Sequence, residues 1–297
     1  MTSGPVLVGY GPEDRGRGGL ELARLLAESA GRSVLVVCVI PDRWGAAGMG
    51  RGVDGDYQSY LEGLAREAVE HASAVLADCS VAVESRVVTA RSAPAGLSQA
   101  AQESDAWLLV TGASADGPWG HIALGSTTDR MVHSSAVPVA LALRGLRYGD
   151  ATRVGRVTAA VDGSPSSHGV LERAADLAAQ VGAPLRVVSF AVRAGTMYPP
   201  EAGLHAEDRV VQQWREQAQA MIRADVERLP AARNCDPELQ VSDGHSWREA
   251  LARAGWVDGE LLVVGSSASE PRMARVFLGS TATRIVRHAP VPVVVVP

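Results

Sequence analysis

Two glycine-hydroxyl segments stand where a helical pattern begins, and their chemistry suits an anion. In each, a glycine is followed by a serine and a threonine, and an apolar run ending in glycine lies upstream. The first N–H groups of a helix have no partner within it, so a glycine and two hydroxyls there can hold a phosphate. The residues are Gly112, Gly125, Ser126 and Thr127 in one segment, and Gly265, Ala268, Gly279, Ser280 and Thr281 in the other.

The two segments are copies of one another. Aligning 124–139 on 278–293 gives nine identities in sixteen positions, including the closing Val-Pro-Val. The spacing is Gly-x2-Ala-x9-Gly-Ser from Gly112 and Gly-x2-Ala-x10-Gly-Ser from Gly265. The longer loop also carries Glu270, whose carboxylate would repel a phosphate. The chain is therefore a tandem duplication in which each copy departs slightly from the other.

A further polar pair follows the first strand pattern of the second half. Asp162 and Ser164 come directly after the apolar run that ends at Val161. A carboxylate at that point can accept a hydrogen bond from a hydroxyl or amino group of a ligand. In the first half we assign Tyr10 to the same position, which leaves that half without a carboxylate. The second half is therefore predicted to be the better binding site.

The elements that must position these residues alternate between strands and helices. Nearly uniform apolar strands separated by amphipathic helices predict an α/β fold with a parallel sheet in each half. In such sheets, ligands sit beyond the carboxyl ends of the strands. We expect two domains, 1–146 and 154–297, joined by a polar linker. Long loops are predicted over 43–56 and 193–206, before helices that start near 57 and 207.

Composition excludes several classes of function. The net charge is −5, the 28 basic residues are all arginine, and no basic stripe is present, which argues against nucleic acid as a partner. Without lysine, Schiff-base and P-loop chemistry are excluded. The apolar runs have the length of strands, so no membrane association is expected, and the cytoplasm is the predicted compartment.

No catalytic constellation is recognisable in the sequence. The segment from Gly112 reads Gly-Ala-Ser-Ala-Asp and so lacks the second glycine of a nucleophile elbow. The seven histidines show no metal-ligand spacing, and the three cysteines form no Cys-x-x-Cys pair. The protein is therefore predicted not to be an enzyme and not to hold a metal.

Three features together resemble the universal stress protein family in its two-repeat form. They are Asp162-Gly163-Ser164 after the first strand of the second half, the glycine-spaced segments ending in Gly-Ser-Thr, and the closing Val-Pro-Val of each half. The resemblance implies five-stranded parallel sheets in the order 3-2-1-4-5, paired through their last strands about a pseudo-two-fold axis. It further implies homo-oligomers formed through last-strand or related contacts.

The resemblance also implies a ligand. Family members that bind ATP resemble one another in a Gly-x2-Gly-x9-Gly-[Ser/Thr] motif and an aspartate after strand one. Here an alanine replaces the second glycine in both halves. Two functions follow. One is a stress-response regulator that binds ATP or a related nucleotide, with at most slow hydrolysis. The other is a scaffold or interaction protein with degenerate phosphate sites that binds no nucleotide.

Overall fold

The computed structural model describes residues 4–12, 16–42, 51–114, 116–148, 152–192, 204–230, 236–266 and 279–297. Each half alternates strands with helices, as predicted. The first half consists of β1 Val6–Gly9, α1 Arg17–Ala30, β2 Val34–Pro41, α2 Arg51–Val75, β3 Val83–Ala90, α3 Ala93–Glu103, β4 Leu108–Thr111, α4 Ser126–Ser134 and β5 Val139–Leu141.

The second half repeats this order of elements. Its members are β6 Arg156–Ala160, α5 Pro165–Val181, β7 Leu185–Val192, α6 Leu204–Glu227, β8 Glu238–Gly244, α7 Trp247–Arg253, β9 Glu260–Gly265, α8 Ser280–His288 and β10 Val293–Val296. The helices α1 and α5 both end at a glycine in the left-handed region, Gly31 with φ 62° and Gly182 with φ 66°. Glycine adopts that conformation without steric cost and so ends both helices at equivalent points.

Two helices begin earlier in the chain than predicted. The helix α2 begins at Arg51 rather than near 57, and α6 begins at Leu204 rather than near 207. Glycines in the 51–56 stretch led the sequence analysis to place it in a loop, but glycine lowers helix propensity only by about 1 kcal/mol. The remainder of both predicted loops, 43–50 and 193–203, lies outside the described residues.

All ten strands form one sheet, in the order β3-β2-β1-β4-β5-β10-β9-β6-β7-β8. Each half therefore has the order 3-2-1-4-5, and the pairs within each half are parallel. Helices cover both faces. Buried side chains of α1, α2, α5 and α6 pack on one face, and those of α3, α4, α7 and α8 pack on the other. The predicted α/β fold is confirmed.

The two halves meet through their last strands. β5 pairs with β10 in antiparallel register, with Ala140 opposite Val294 at the centre. These two residues are equivalent in the repeat, as a local two-fold axis requires. Every residue of both strands is buried. The predicted pairing of the last strands is thus confirmed within a single chain.

This pairing corrects one expectation about assembly. β5 lies between β4 and β10, and β10 lies between β5 and β9, so neither strand has a free edge. A homo-oligomer could not form by adding another strand to either of them. The outer edges of the sheet are β3 and β8. None of the described helices is long and apolar enough to cross a membrane.

Candidate functional site

A cavity of about 590 Å³ opens at the carboxyl ends of β1, β2 and β4. This is the end at which ligands bind in parallel sheets. One side is apolar and is formed by Val37, Val39, Ala93 and Leu97. The other side is formed by glycines and hydroxyl side chains, among them Gly112, Ser114, Gly125, Ser126, Thr127 and Thr128. The four residues that the sequence singled out in this half therefore lie together around one space.

The start of α4 faces this cavity with its N–H groups. Gly125 precedes the helix with φ −80° and ψ 169°, and no side chain caps the first turn. The N–H of Asp129 is the first to bond back, to the carbonyl of Gly125 at 2.9 Å. The N–H groups of Ser126, Thr127 and Thr128 precede it, and the helix dipole makes this end attractive to negative charge.

Gly112 is required by a close approach of two backbone segments. A Cβ at this position would lie 2.5 Å from the Cα of Gly16, which is closer than two non-bonded carbon atoms can approach. A Cβ at Gly125, in contrast, would meet Ser114 at an ordinary 3.6 Å. The two glycines of the motif therefore do different things: the first lets the chain pass the start of α1, and the second leaves the cavity open.

Thr111 lies at the wall of the cavity. The residue is the last of β4 and is only 4% exposed, and it lines the cavity. Its Oγ1 is buried and has no hydrogen-bond partner among the described residues. A buried polar atom without a partner destabilises a protein, typically by about 1–3 kcal/mol. Because this oxygen is buried beside an open cavity, it faces the protein interior and not the cavity.

The structure corrects the assignment of Tyr10. The N–H of Tyr10 bonds to the carbonyl of Val37, and that of Val161 bonds to the equivalent Val188. Tyr10 therefore corresponds to Val161, and the residue equivalent to Asp162 is Gly11.

The Tyr10 ring is buried on the α1/α2 face of the sheet. Its hydroxyl lies 2.7 Å from Nδ1 of His71 on α2, and the residue also lines the first cavity. A Cβ at Gly11 would meet open space. The first half thus lacks the carboxylate, but no aromatic ring stands in its place.

The second half has an equivalent cavity of about 360 Å³. Six of the residues predicted for this half line it: Asp162, Ser164, Gly265, Gly279, Ser280 and Thr281. Ala268 and Glu270 lie outside the described residues. As in α4, no side chain caps the first turn of α8 after Gly279. Its first turn holds no acidic residue, whereas that of α4 contains Asp129.

Asp162 and Ser164 are engaged in the local turn. Both the N–H and the hydroxyl of Ser164 donate to Asp162 Oδ1, at 3.0 and 2.6 Å. Ser164 is also the N-cap of α5, because its Oγ accepts from the N–H of Ser167 at 3.3 Å. These bonds give both residues a structural role at the start of the helix. The Asp162 oxygen Oδ2 is the part of the pair still open to a ligand.

The lining residues that were not predicted from the sequence include Thr111, Phe190 and Trp247. Phe190 and Trp247 line the second cavity, with ring centroids 6.5 Å apart. A comparison of the two halves position by position could have found all three, because Val264, Val39 and Ala93 stand at the equivalent positions.

No group of three or more His, Cys, Asp or Glu side chains that could hold a metal ion occurs in the part of the chain that the structure describes. Cys38 lies in β2 on the α1/α2 face of the sheet, where burial raises the pKa of its thiol. A raised pKa disfavours the thiolate, which is the nucleophilic form.

Comparison with known proteins agrees with the fold and the duplicated site. The sequence model of the universal stress protein family matches the chain twice, over residues 3–142 and 154–297. A universal stress protein of Mycobacterium tuberculosis is 38% identical over 297 residues, covering 98% of this chain and 99% of that protein. The chain belongs to the universal stress protein family.

Solved structures show the same architecture. A universal stress protein from Archaeoglobus fulgidus superposes with a TM-score of 0.65 at 19% identity, over 99% of this chain and 98% of its own. A protein described as a putative universal stress protein from Pseudomonas aeruginosa gives a TM-score of 0.59 at 17% identity, over 98% and 92%. These similarities support the fold of the full two-repeat chain.

Proposed function

We propose that the protein is a stress-response regulator that binds ATP, or a related nucleotide, in the first-half cavity without a catalytic role. The observation that carries the proposal is the uncapped start of α4, whose Gly125, Ser126 and Thr127 line a cavity beyond the carboxyl ends of the strands. Changes in protein conformation or association on nucleotide binding would provide the regulatory output.

The two sides of the cavity match the two ends of a nucleotide. Backbone N–H groups and hydroxyls of the Gly125-Ser126-Thr127 turn suit phosphate oxygens, which are charged acceptors. The apolar wall of Val37, Val39 and Leu97 suits the flat face of a base. Asp116 also lines the cavity, and the Mg²⁺ that accompanies ATP in solution would offset its repulsion of phosphate.

The described lining of the first cavity offers a single candidate base for hydrolysis and no cationic side chain. It contains no histidine, cysteine, glutamate or arginine, and Asp116 is its one carboxylate. Efficient attack of water on a phosphate needs a group that orients the water and cations that stabilise the transition state. We therefore propose that ATP acts as a ligand, with at most slow hydrolysis.

Replacing Thr111 by valine should not lower the stability of the protein and should raise it by about 1–3 kcal/mol, since this buried hydroxyl has no partner to lose. Thermal unfolding measures the effect. Thr89→Val on the exposed edge strand β3 is the control and should unfold as the parent does.

The proposal is tested first on the parent protein. The purified protein should release nucleotide when it is denatured, as chromatography of the supernatant would show, or should bind added ATP by calorimetry. If no nucleotide is released and millimolar ATP gives no binding heat, the nucleotide proposal fails. The scaffold function, in which the family fold persists with degenerate phosphate sites, would then be the better account.

A further inference from the structure

We infer that Phe190 and Trp247 close the second-half cavity to a nucleobase, so that the chain binds one nucleotide and does so in its first half. The inference rests on the proposed nucleotide-binding function. It assigns the specificity of the two sites to two aromatic side chains that the first half lacks. It also opposes the expectation from sequence that the second half is the better site.

The strand register shows which residues correspond. Val34 of β2 and Leu185 of β7 pair with equivalent residues of the first strand in each half, Val6 and Val157. Five residues further on, Phe190 stands at the position that is Val39 in the first half. Both side chains are half-buried on the same face of the sheet.

The helix starts give the second correspondence. Ser92 caps α3 by accepting from the N–H of Ala95, and Ser246 caps α7 by accepting from the N–H of Glu249. The residue after each cap is Ala93 in the first half and Trp247 in the second. Both line the cavity of their half. At two neighbouring wall positions, then, the second half carries an aromatic ring where the first has a small side chain.

The arrangement of the rings offers no slot for a base between them. Phe190 and Trp247 contact each other at a centroid distance of 6.5 Å and an angle of 55°, a tilted geometry favourable for aromatic pairs. A base held between two rings needs them parallel, and these are not. The second cavity is also the smaller of the two, at about 360 Å³ against about 590 Å³ in the first.

The carboxylate of Asp162 does not compensate for this loss of space. Its Oδ1 is already bonded by the N–H and hydroxyl of Ser164, which is the N-cap of α5. The structural role of Asp162 and Ser164 in this turn is therefore sufficient to explain why both residues occur in the second half. A bound nucleotide is not required to explain them.

The test is the number of ATP molecules bound per chain in calorimetric titrations. The parent protein should bind one. The double variant Phe190→Val/Trp247→Ala restores the wall of the first half and should bind two, the second with a Kd within about 10-fold of the first. Ala93→Trp introduces the ring of the second half into the first and should bind none. Trp214→Ala, which removes an exposed tryptophan of α6, is the control and should still bind one.

The outcomes separate this inference from the proposed function. Two ATP molecules bound by the parent, or only one by the double variant, would overturn the inference and leave nucleotide binding intact. An Ala93→Trp protein that still binds ATP would also overturn it. If the parent binds none but the double variant binds one, the first-half proposal fails while the role of the aromatic pair stands. Should Ala93→Trp fail to fold, Ala93→Phe tests the same wall with a smaller ring.

Discussion

Replacing Glu260 by alanine should lower the free energy of unfolding by about 3–5 kcal/mol, the range for removing one partner of a buried ion pair. Glu260 is 1% exposed at the start of β9, and Arg186 of β7 is also 1% exposed. The Arg186 Nη2 donates to Glu260 Oε1 at 2.7 Å. Without the carboxylate, Arg186 would be left as a buried charge lacking its main counter-ion.

The other contacts of Glu260 add to the expected effect. Arg156 donates to its Oε2 at 2.8 Å, and the N–H of Val257 donates to the same oxygen at 2.9 Å. The hydroxyl of Thr158 donates to Oε1. Burial lowers the pKa of Arg186, which reflects the free energy needed to keep that charge away from water. A single substitution therefore removes the carboxylate that the buried donors of Arg186 and Thr158 share.

Glu238→Ala provides a matched control. Glu238 also pairs with Arg156, at 3.1 Å, but its side chain is 57% exposed. An exposed pair contributes about 0–1 kcal/mol, so this variant should unfold almost as the parent does. Urea unfolding followed by circular dichroism compares the two. If both variants lost the same free energy of unfolding, the buried carboxylate of Glu260 would not be the source of the stabilisation.

Gly112→Ser should destabilise the first half by about 1–3 kcal/mol, whereas Gly125→Ser should be close to neutral. The reason is backbone contact. A Cβ at 112 would lie 2.5 Å from the Cα of Gly16, and neither segment has a flexible side chain that could move aside. At 125 the nearest atom is 3.6 Å away, and serine is a good N-cap for α4.

The same urea experiment checks this pair of variants. A loss of stability for Gly112→Ser with an unchanged Gly125→Ser would confirm that the first glycine is needed for close approach of the chain. If both variants unfold with the parent, the contact between Gly112 and Gly16 does not constrain the fold. Because unfolding is measured without nucleotide, any loss of stability reflects the fold and not ligand binding.

The sequence alone determined the duplication, the order of strands and helices, and the family. These features depend on local signals: apolar runs of strand length, helical periodicity, and glycines where strands and helices end. The pairing of β5 with β10 was implied by the family resemblance, and the uniformly apolar character of both strands agrees with it, because such strands are buried on both faces. The predicted residues that the structure describes also gather at one cavity in each half, since parallel strands bring their carboxyl ends together.

The tertiary structure decided which residues line the two cavities. It showed that the residue equivalent to Asp162 is Gly11 and not Tyr10. Backbone hydrogen bonds between strands fix this register, whereas the pattern of residues along one strand does not. It also exposed the Thr111 hydroxyl as unpartnered, and brought Phe190 and Trp247 from different elements to one wall. Burial and the presence of a partner depend on residues far apart in the chain, and so only the packed fold reveals them.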